Sequence, residues 1–330
     1  MKLTNVAFGR KVKVTIYTND GYSVMFESNH TKDKYGLRIT GDIKKYFAIQ
    51  PPEATISIYN LSNVEAADVM NMKYKKVGNQ FVEQQLRVKV EAGYEYGYFG
   101  TIFDGEVLKP NMLKPDPNNT QLRLTCIDGA NFVSAGNTLT MTFNEGVNYY
   151  SVAEQIKNNS NVDYRLEMGE VLKNRTVDGS FVVDGTLYDT MLTLSEETNT
   201  IFTFKDGTAS LKTWNEMING STEAYVLNKD TGLMGIPALT NDGLTVQSVL
   251  NPNYDVLKRI KLNNADISID QPDYLANRQI GAWLSSDGLY FIIELQHQFD
   301  STTGGFCTNL KCVANNYFEK LGLYNSITGG

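Results

Sequence analysis

From Lys11 to Tyr17 apolar Val12, Val14 and Ile16 alternate with Lys11, Lys13, Thr15 and Tyr17. A two-residue period of this kind predicts a strand with one buried and one wet face. Asn19-Asp20-Gly21 then turns the chain. Val24 with Phe26, and Leu37 with Ile39, predict two more short strands before Gln50-Pro51-Pro52 interrupts. Ile56 and Ile58 alternate with Thr55, Ser57 and Tyr59 in a further strand. Ser62-Asn63-Val64-Glu65 reads as a capping box, opening a short helix to about Met72 with Val64, Ala67 and Met70 packed inward. Leu86, Val88 and Val90 alternate with Arg87, Lys89 and Glu91 up to Ala92-Gly93, where glycine permits a tight bend. Lys109 to Asn119, holding Pro110, Pro115 and Pro117, is predicted as a loop, and Leu122, Leu124 and Cys126 as the strand that closes this region.

From Asp128 the pattern changes. Ser151-Val152-Ala153-Glu154 is a second capping box, opening a helix to about Asn159, and Thr186 to Asp189 opens another in which Leu187, Met191 and Leu194 recur at helical spacing. Phe181 to Val183 and Ile201 to Phe204 read as strands, so a small α+β unit sits mid-chain. Strands return with a turn at Asn228 to Gly232, an extended segment to Pro237, and Leu244, Val246, Ser248 and Leu250 in alternation. The fold class is α+β, mainly β, with boundaries at 1–128, 129–223 and 224–330. Leu124 to Ile127 and Leu310 to Val313 close the first and last β regions in similar words, each after an aromatic hairpin starting at Gly97 or Gly288. The pair suggests an internal repeat.

A chain of 330 residues predicts two or three domains and needs no metal or disulfide staple. Cys126, Cys307 and Cys312 lack any Cys-x-x-Cys spacing and read as buried thiols. A net charge of -7 argues against a nucleic-acid surface of clustered Lys and Arg. No signal-peptide core or apolar run of membrane length occurs, so a cytoplasmic site of synthesis without membrane insertion is expected. Tyr94, Tyr96 and Tyr98, on one side of an extended chain, suit either a sugar or cross-strand packing. His30 lies in a polar run and reads as a loop residue; His297 continues the face of Phe291, Ile293 and Leu295 and reads as packed. Asn228-x-Asp230-x-Gly232 lacks the closing carboxylate of a calcium loop, that position being Leu239. Asp189, Glu196 and Glu197 read as a solvated helix face. No catalytic residue, metal site or cofactor site is expected.

Motifs nonetheless remain. A strand ending in Asn60-Leu61-Ser62, a strand ending in Ala92-Gly93-Tyr94, and a hairpin with Gly100, Phe103 and Gly105 form one set. Gly232, Leu233, Gly235 and Pro237, then Leu250-Asn251-Pro252, then Tyr290 to His297 before Asp300 and Gly304-Gly305 form another. Together they resemble the baseplate hub protein of contractile, myovirus-type phage tails, and are similar to the hub half of type VI secretion spike proteins. The resemblance runs from about Lys11 to about Ala314 and is weakest from Asp128 to Glu223. It implies two tube-forming, β-barrel-like domains flanking the α+β region, and a non-enzymatic structural component of the virion tail baseplate assembled in the host cytoplasm. It further implies a homotrimer that links a six-fold tail tube protein to a three-fold central spike protein, contacts other baseplate proteins, and passes DNA through its lumen without specific binding. The motif residues are then markers of fold and assembly, and the spike is expected on a separate chain. Two alternatives stay open: the tail-associated hub of a non-contractile phage, and a β-rich carbohydrate-binding or depolymerising protein that uses the tyrosines.

Overall fold

The computed structural model describes residues 9–29, 36–47, 50–77, 79–134, 136–219, 223–240, 243–269 and 284–314. The first region holds strands β1 (Arg10–Thr18), β2 (Ser23–Glu27), β3 (Ile39–Tyr46) and β4 (Glu53–Tyr59), helix α1 (Asn63–Lys73), then β5 (Tyr74–Val77), β6 (Gln80–Glu83), β7 (Leu86–Tyr94), β8 (Phe99–Asp116) and β9 (Asn119–Ile127). The middle holds α2 (Ala130–Val133), β10 (Thr138–Asn144), α3 (Tyr149–Asn159), β11 (Arg165–Met168), α4 (Glu170–Asn174), β12 (Ser180–Thr186), α5 (Leu187–Thr198), β13 (Ile201–Lys205), β14 (Thr208–Lys212) and α6 (Trp214–Asn219). The last part holds β15 (Ala224–Val226), β16 (Leu233–Thr240), β17 (Gly243–Val249), β18 (Arg259–Lys261), β19 (Ser268–Ile269), β20 (Leu289–Asp300) and β21 (Phe306–Ala314). The chain is mainly β. Two compact units result: Tyr46–Pro51 with Asp128–Glu223 form one, and the described residues before Tyr46, Pro52–Ile127 and those from Ala224 onward form the other.

The middle unit is an α+β body. It contains the antiparallel pair β10–β12 and a three-stranded sheet in which β14 pairs with β11 in parallel and with β13 antiparallel. Its core gathers Phe132, Phe181, Phe202 and Phe204 with Leu187, Met191 and Leu194 of α5. Thr186 caps α5 as its sequence predicts, its hydroxyl accepting from Asp189 N–H at 3.1 Å. Helix α3 starts earlier than Ser151: Asn148 is its cap and accepts from Tyr150 N–H at 2.8 Å. Asparagine caps a helix as well as serine does, and the earlier start places Tyr149 in the core.

In the other unit β1 shows why alternation matters. Val14 lies opposite Val90 and Ile16 opposite Val88, all four fully buried, so the apolar faces of β1 and β7 coincide. The capping box of α1 is present, with Ser62 Oγ accepting from Glu65 N–H and Glu65 Oε2 accepting from Ser62 N–H. Its buried face differs from the expected one: Ala66, Val69 and Met72 are inside, Met70 is half-buried, and Val64 and Ala67 are exposed. Apolar residues occur all round this helix, so its period selects no face and tertiary docking does. The predicted proline loop is also a strand. β8 runs through it, with Pro110 opposite Leu124 of β9. Pairing with β7 ends at Leu86–Val107, so beyond that point β8 has an edge where the missing proline N–H breaks no ladder.

Among the described residues, fourteen strands form one sheet in the order β19-β16-β17-β21-β20-β3-β4-β9-β8-β7-β1-β2, with β18 and β15 branching from β20. The path is open, and no described pairing closes either half into a barrel. One backbone bond, Leu37 N–H to Glu27 C=O at 3.0 Å, ties the end of β2 to the chain entering β3.

The internal echo has a structural counterpart. β3-β4-β9-β8-β7 and β16-β17-β21-β20-β18 run in the same order, each a hairpin, a second hairpin in reverse and one antiparallel strand. Each second hairpin carries a bulge at the same place. Leu108 is the extra residue opposite Cys126–Thr125, and Ile293 the extra residue opposite Cys312–Lys311. Both cysteines are buried, as is Cys307.

Candidate functional site: the seam between the two β halves

The halves meet where β20 pairs with β3, through polar bonds and through Leu250, Phe299 and Phe306, which enter the first half's apolar core. Ser301 N–H donates to Ile39 C=O at 2.9 Å. Arg38 Nη2 lies 2.8 Å from Asp300 Oδ2, and Arg10 Nη1 donates to Asp300 C=O at 3.0 Å. Asp42 accepts from the amides of Gln296 and Gln298 at 2.6 and 3.2 Å.

Deeper in the seam Lys45 Nζ stands 3.6 Å from Asp255 Oδ1, with both side chains largely buried. Fully buried His297 has Nδ1 2.9 Å from Thr308 Oγ1, an oxygen that also accepts from Asn251 N–H at 3.3 Å. Burial, and secondarily the Lys45 charge, depress the His297 pKa to about 3. The folded protein therefore holds this imidazole neutral while the unfolded chain takes up a proton below the ordinary histidine range. Stability is complete above about pH 6.5 and is lost as pH falls toward 3. Between pH 7 and pH 4.5 the expected loss is roughly 2.5 kcal/mol. Depressed carboxylates such as Asp300 and Glu216 contribute their own loss only below roughly pH 4.5. Thermal midpoints measured across this window should slope in the native protein and flatten in His297→Gln; an unchanged slope in the variant refutes the assignment.

Seven of the fifteen motif residues come together here. Tyr94 is buried, its hydroxyl donating to Phe306 C=O at 3.3 Å and its ring edge-on to Phe306 at 5.2 Å. Gly93 makes no bend: it lies within β7, where a Cβ would stand 1.9 Å from Tyr98 O. Pro252 packs over Gly100, with a Cβ there 3.4 Å from the proline ring. Leu250 enters the N-terminal core, and Asn251 Oδ1 accepts from Asn253 N–H at 3.0 Å. With His297 they bind the loop after β17 to the first half.

The other motif residues lie elsewhere. Asn60, with φ 58°, exchanges side-chain bonds with Asn119 and Thr120 beside the β8–β9 turn, and Leu61 is buried next to it. A bulge in β8 lets consecutive Ile102 and Phe103 both be buried, and Gly105 leaves room for the Phe103 ring. Gly232 ends the turn capped by Asn228, whose Oδ1 accepts from Asp230 and Thr231 N–H. Leu233, Gly235 and Pro237 lie on β16, where the register breaks between Met234 and Ala238.

The partners Lys45, Asp255 and Thr308 carry no motif. Only Lys45 left a readable signal, since it continues the inward period of Ile39 and Ile43 along β3. The tyrosine stripe does not form one face: Tyr94 is buried and Tyr96 and Tyr98 are exposed in the turn after it, so the carbohydrate reading loses its platform. His30 lies outside the described residues. Asp189, Glu196 and Glu197 are exposed on α5. Among the described residues no group of three or more His, Cys, Asp or Glu side chains is placed to hold a metal, and no helix is long and apolar enough to cross a membrane. A cavity of about 590 Å³ between β15, β18 and the turn before β20 is lined by Lys261 and Asp287 among others.

A profile of the family described as baseplate hub gp41 matches residues 11–268. The chain belongs to that family. The match spans all three sequence regions and agrees with the resemblance carried by the motifs. No curated protein matches the sequence. Among solved structures, the tail protein from Neisseria meningitidis MC58 is similar in fold at 11% identity and TM-score 0.54, covering 92% of this chain and 97% of its own. A chain of the Francisella PdpA-VgrG complex is similar at 8% identity and TM-score 0.55, over 94% of this chain and 53% of that one. The E. coli c3393 protein, described as a type VI secretion component similar to the T4 tail proteins gp27 and gp5, matches at 9% identity and TM-score 0.50, over 84% of this chain and 73% of its own. This hub-family chain therefore shares its fold with phage tail and type VI secretion components.

Proposed function

We propose that the chain is the trimeric hub of a contractile tail, joining a six-fold tube to a three-fold central spike and enclosing the DNA channel. The observation that carries this reading is the repeat: five strands in one order, with one bulge in one place, occur in both halves of a single sheet. Three copies then present six similar units, which matches a six-fold ring on one side while keeping three-fold symmetry on the other. Each half acts as a tube-type, barrel-like domain, and the motif residues of the seam hold the two halves at a fixed angle. Edges that remain open in one copy, at β2 and β19, are covered by neighbouring copies. The role is structural, a matter of packing and symmetry, in a virion component assembled in the host cytoplasm.

The test is solution mass, by sedimentation or native mass spectrometry, with and without a co-expressed spike protein. Three copies of 36.9 kDa give about 111 kDa for the expected trimer. A strict monomer under both conditions refutes it.

A further inference from the structure

We propose that β15 is an acceptor edge for an extended, carboxylate-bearing segment of a different tail chain, which adds to the sheet as a further strand. The inference rests on the hub reading, because that reading assigns the open edges at β2 and β19 to neighbouring copies. A third edge is then left over. β18 and β15 branch from β20, off the path that runs from β19 to β2, and among the described residues β15 has β18 as its single strand partner. A ring of copies joined through the two ends of the path makes no use of this branch, so its occupant is another chain.

The direction of the backbone groups follows from the register. Leu227 N–H donates to Lys261 C=O at 2.9 Å, and Ala224, Tyr225 and Val226 lie opposite Arg259, Ile260 and Lys261. Successive residues of a strand turn their N–H and C=O to opposite sides, so Tyr225 and Leu227 face β18 while Val226 faces outward. Its N–H and C=O are ladder bonds waiting for a strand. The Val226 side chain, 54% exposed, stands level with Lys261 beside the edge rather than in it. Just past it the cavity of about 590 Å³ opens at the ends of β15 and β18, with Leu227 and Leu262 near Asn228, Asn263 and Asp287. An added strand gains main-chain bonds from the edge and a side-chain pocket from the cavity, the two elements of recognition by strand addition.

Charge selects the kind of segment. In the first half the sheet's cations are matched, Lys13 and Lys89 by Glu91 and Arg87 by Asp104 and Glu106. Along β18 they are not. Lys258 Nζ donates to Asn253 C=O at 3.0 Å and lies over the Tyr225 ring, while Arg259 stands over the Phe291 ring with its buried Nε unbonded. Among the described residues neither these two nor Lys261 has a carboxylate within ion-pair distance. Glu223 precedes β15, and Asp287 in the cavity is already held by the Ser285 hydroxyl and by Leu289 N–H. Carboxylates on the incoming segment meet the unmatched cations. Duplex DNA is also anionic, but it has no peptide N–H and C=O to offer an open strand edge.

The experiment places photoreactive benzoylphenylalanine in place of Val226 in the full chain, within tails assembled with their other proteins. Irradiation should join it to one other tail chain, through a segment rich in Asp and Glu identified by mass spectrometry of the linked peptides. A link to another copy of this chain, a link to DNA, or no link overturns the inference. A chain that is absent from the tails, or monomeric with its partners, fails the hub reading first and takes this inference with it. Two variants separate strand pairing from charge. Val226→Pro removes the outward N–H and no bond of the β15–β18 ladder, so it should unfold at the native temperature and still trimerise, yet lose the partner chain from assembled tails. Val226→Thr keeps the N–H and should keep the partner. Lys258→Glu with Lys261→Glu should weaken retention about tenfold. Native retention in the proline variant or in the charge reversal overturns the inference; should the proline variant fail to fold, the charge reversal decides.

Discussion

Replacing Gly93 by alanine should cost about 3–4 kcal/mol of stability, among the severest single changes available to this chain. The added methyl would stand 1.9 Å from the backbone oxygen of Tyr98 and 2.8 Å from Phe99 Cα, neither of which is a flexible side-chain end. Relief requires β7 and β8 to part where they pair at Gly93–Phe99, and the same movement withdraws Tyr94 from Phe306. Damage therefore reaches the seam as well as the hairpin. Gly305→Ala is the control, because nothing lies within 4 Å of its Cβ position; its effect should stay within about 0.5 kcal/mol. Equal losses in the two variants, measured by denaturant unfolding, would show that the close approach at Gly93 is not what selects glycine there.

Asp255→Ala is expected to cost about 3–5 kcal/mol, because it removes the carboxylate beside a Lys45 side chain that is only 10% exposed and leaves that charge in the seam next to neutral His297. The same charge pair replaced on both sides, Lys45→Met with Asp255→Leu, should recover most of the loss, since a buried ion pair adds little over apolar residues of similar size. The ordering of the three proteins is the measurement. A single variant that costs under about 1 kcal/mol, or a double variant no better than the single, would sink the account of the seam as a charge-sensitive joint.

Strand periods alone specify much of this molecule. Val12, Val14 and Ile16 had to face one core, Thr186 had to cap a helix, and the three cysteines had to be inside, because each of these outcomes follows from residues a few positions apart. The repeat was audible only as two short cysteine-centred strands. Its proof lies in strand order and in the extra residues Leu108 and Ile293, which are properties of pairing between distant segments. The motif residues were visible as motifs, but nothing local said that Tyr94 would reach Phe306 or that Pro252 would cover Gly100, contacts between residues more than 150 positions apart.

Where local pattern failed, a physical competitor decided. The apolar residues of α1 surround the helix, so docking chose Ala66, Val69 and Met72 over Val64 and Ala67. Asn148 competed with Ser151 for the cap of α3 and buried Tyr149 by winning. Prolines that exclude a sheet interior are harmless on a strand whose second neighbour has already ended, and no sequence window contains that neighbour. Residue pattern alone specifies a mainly β chain with a central α+β region, free buried thiols and a hub-family signature. That the outer regions share one sheet, and that Lys45, a largely buried Asp255 and neutral His297 meet where they join, depends on contacts between residues more than two hundred positions apart, which no local pattern contains.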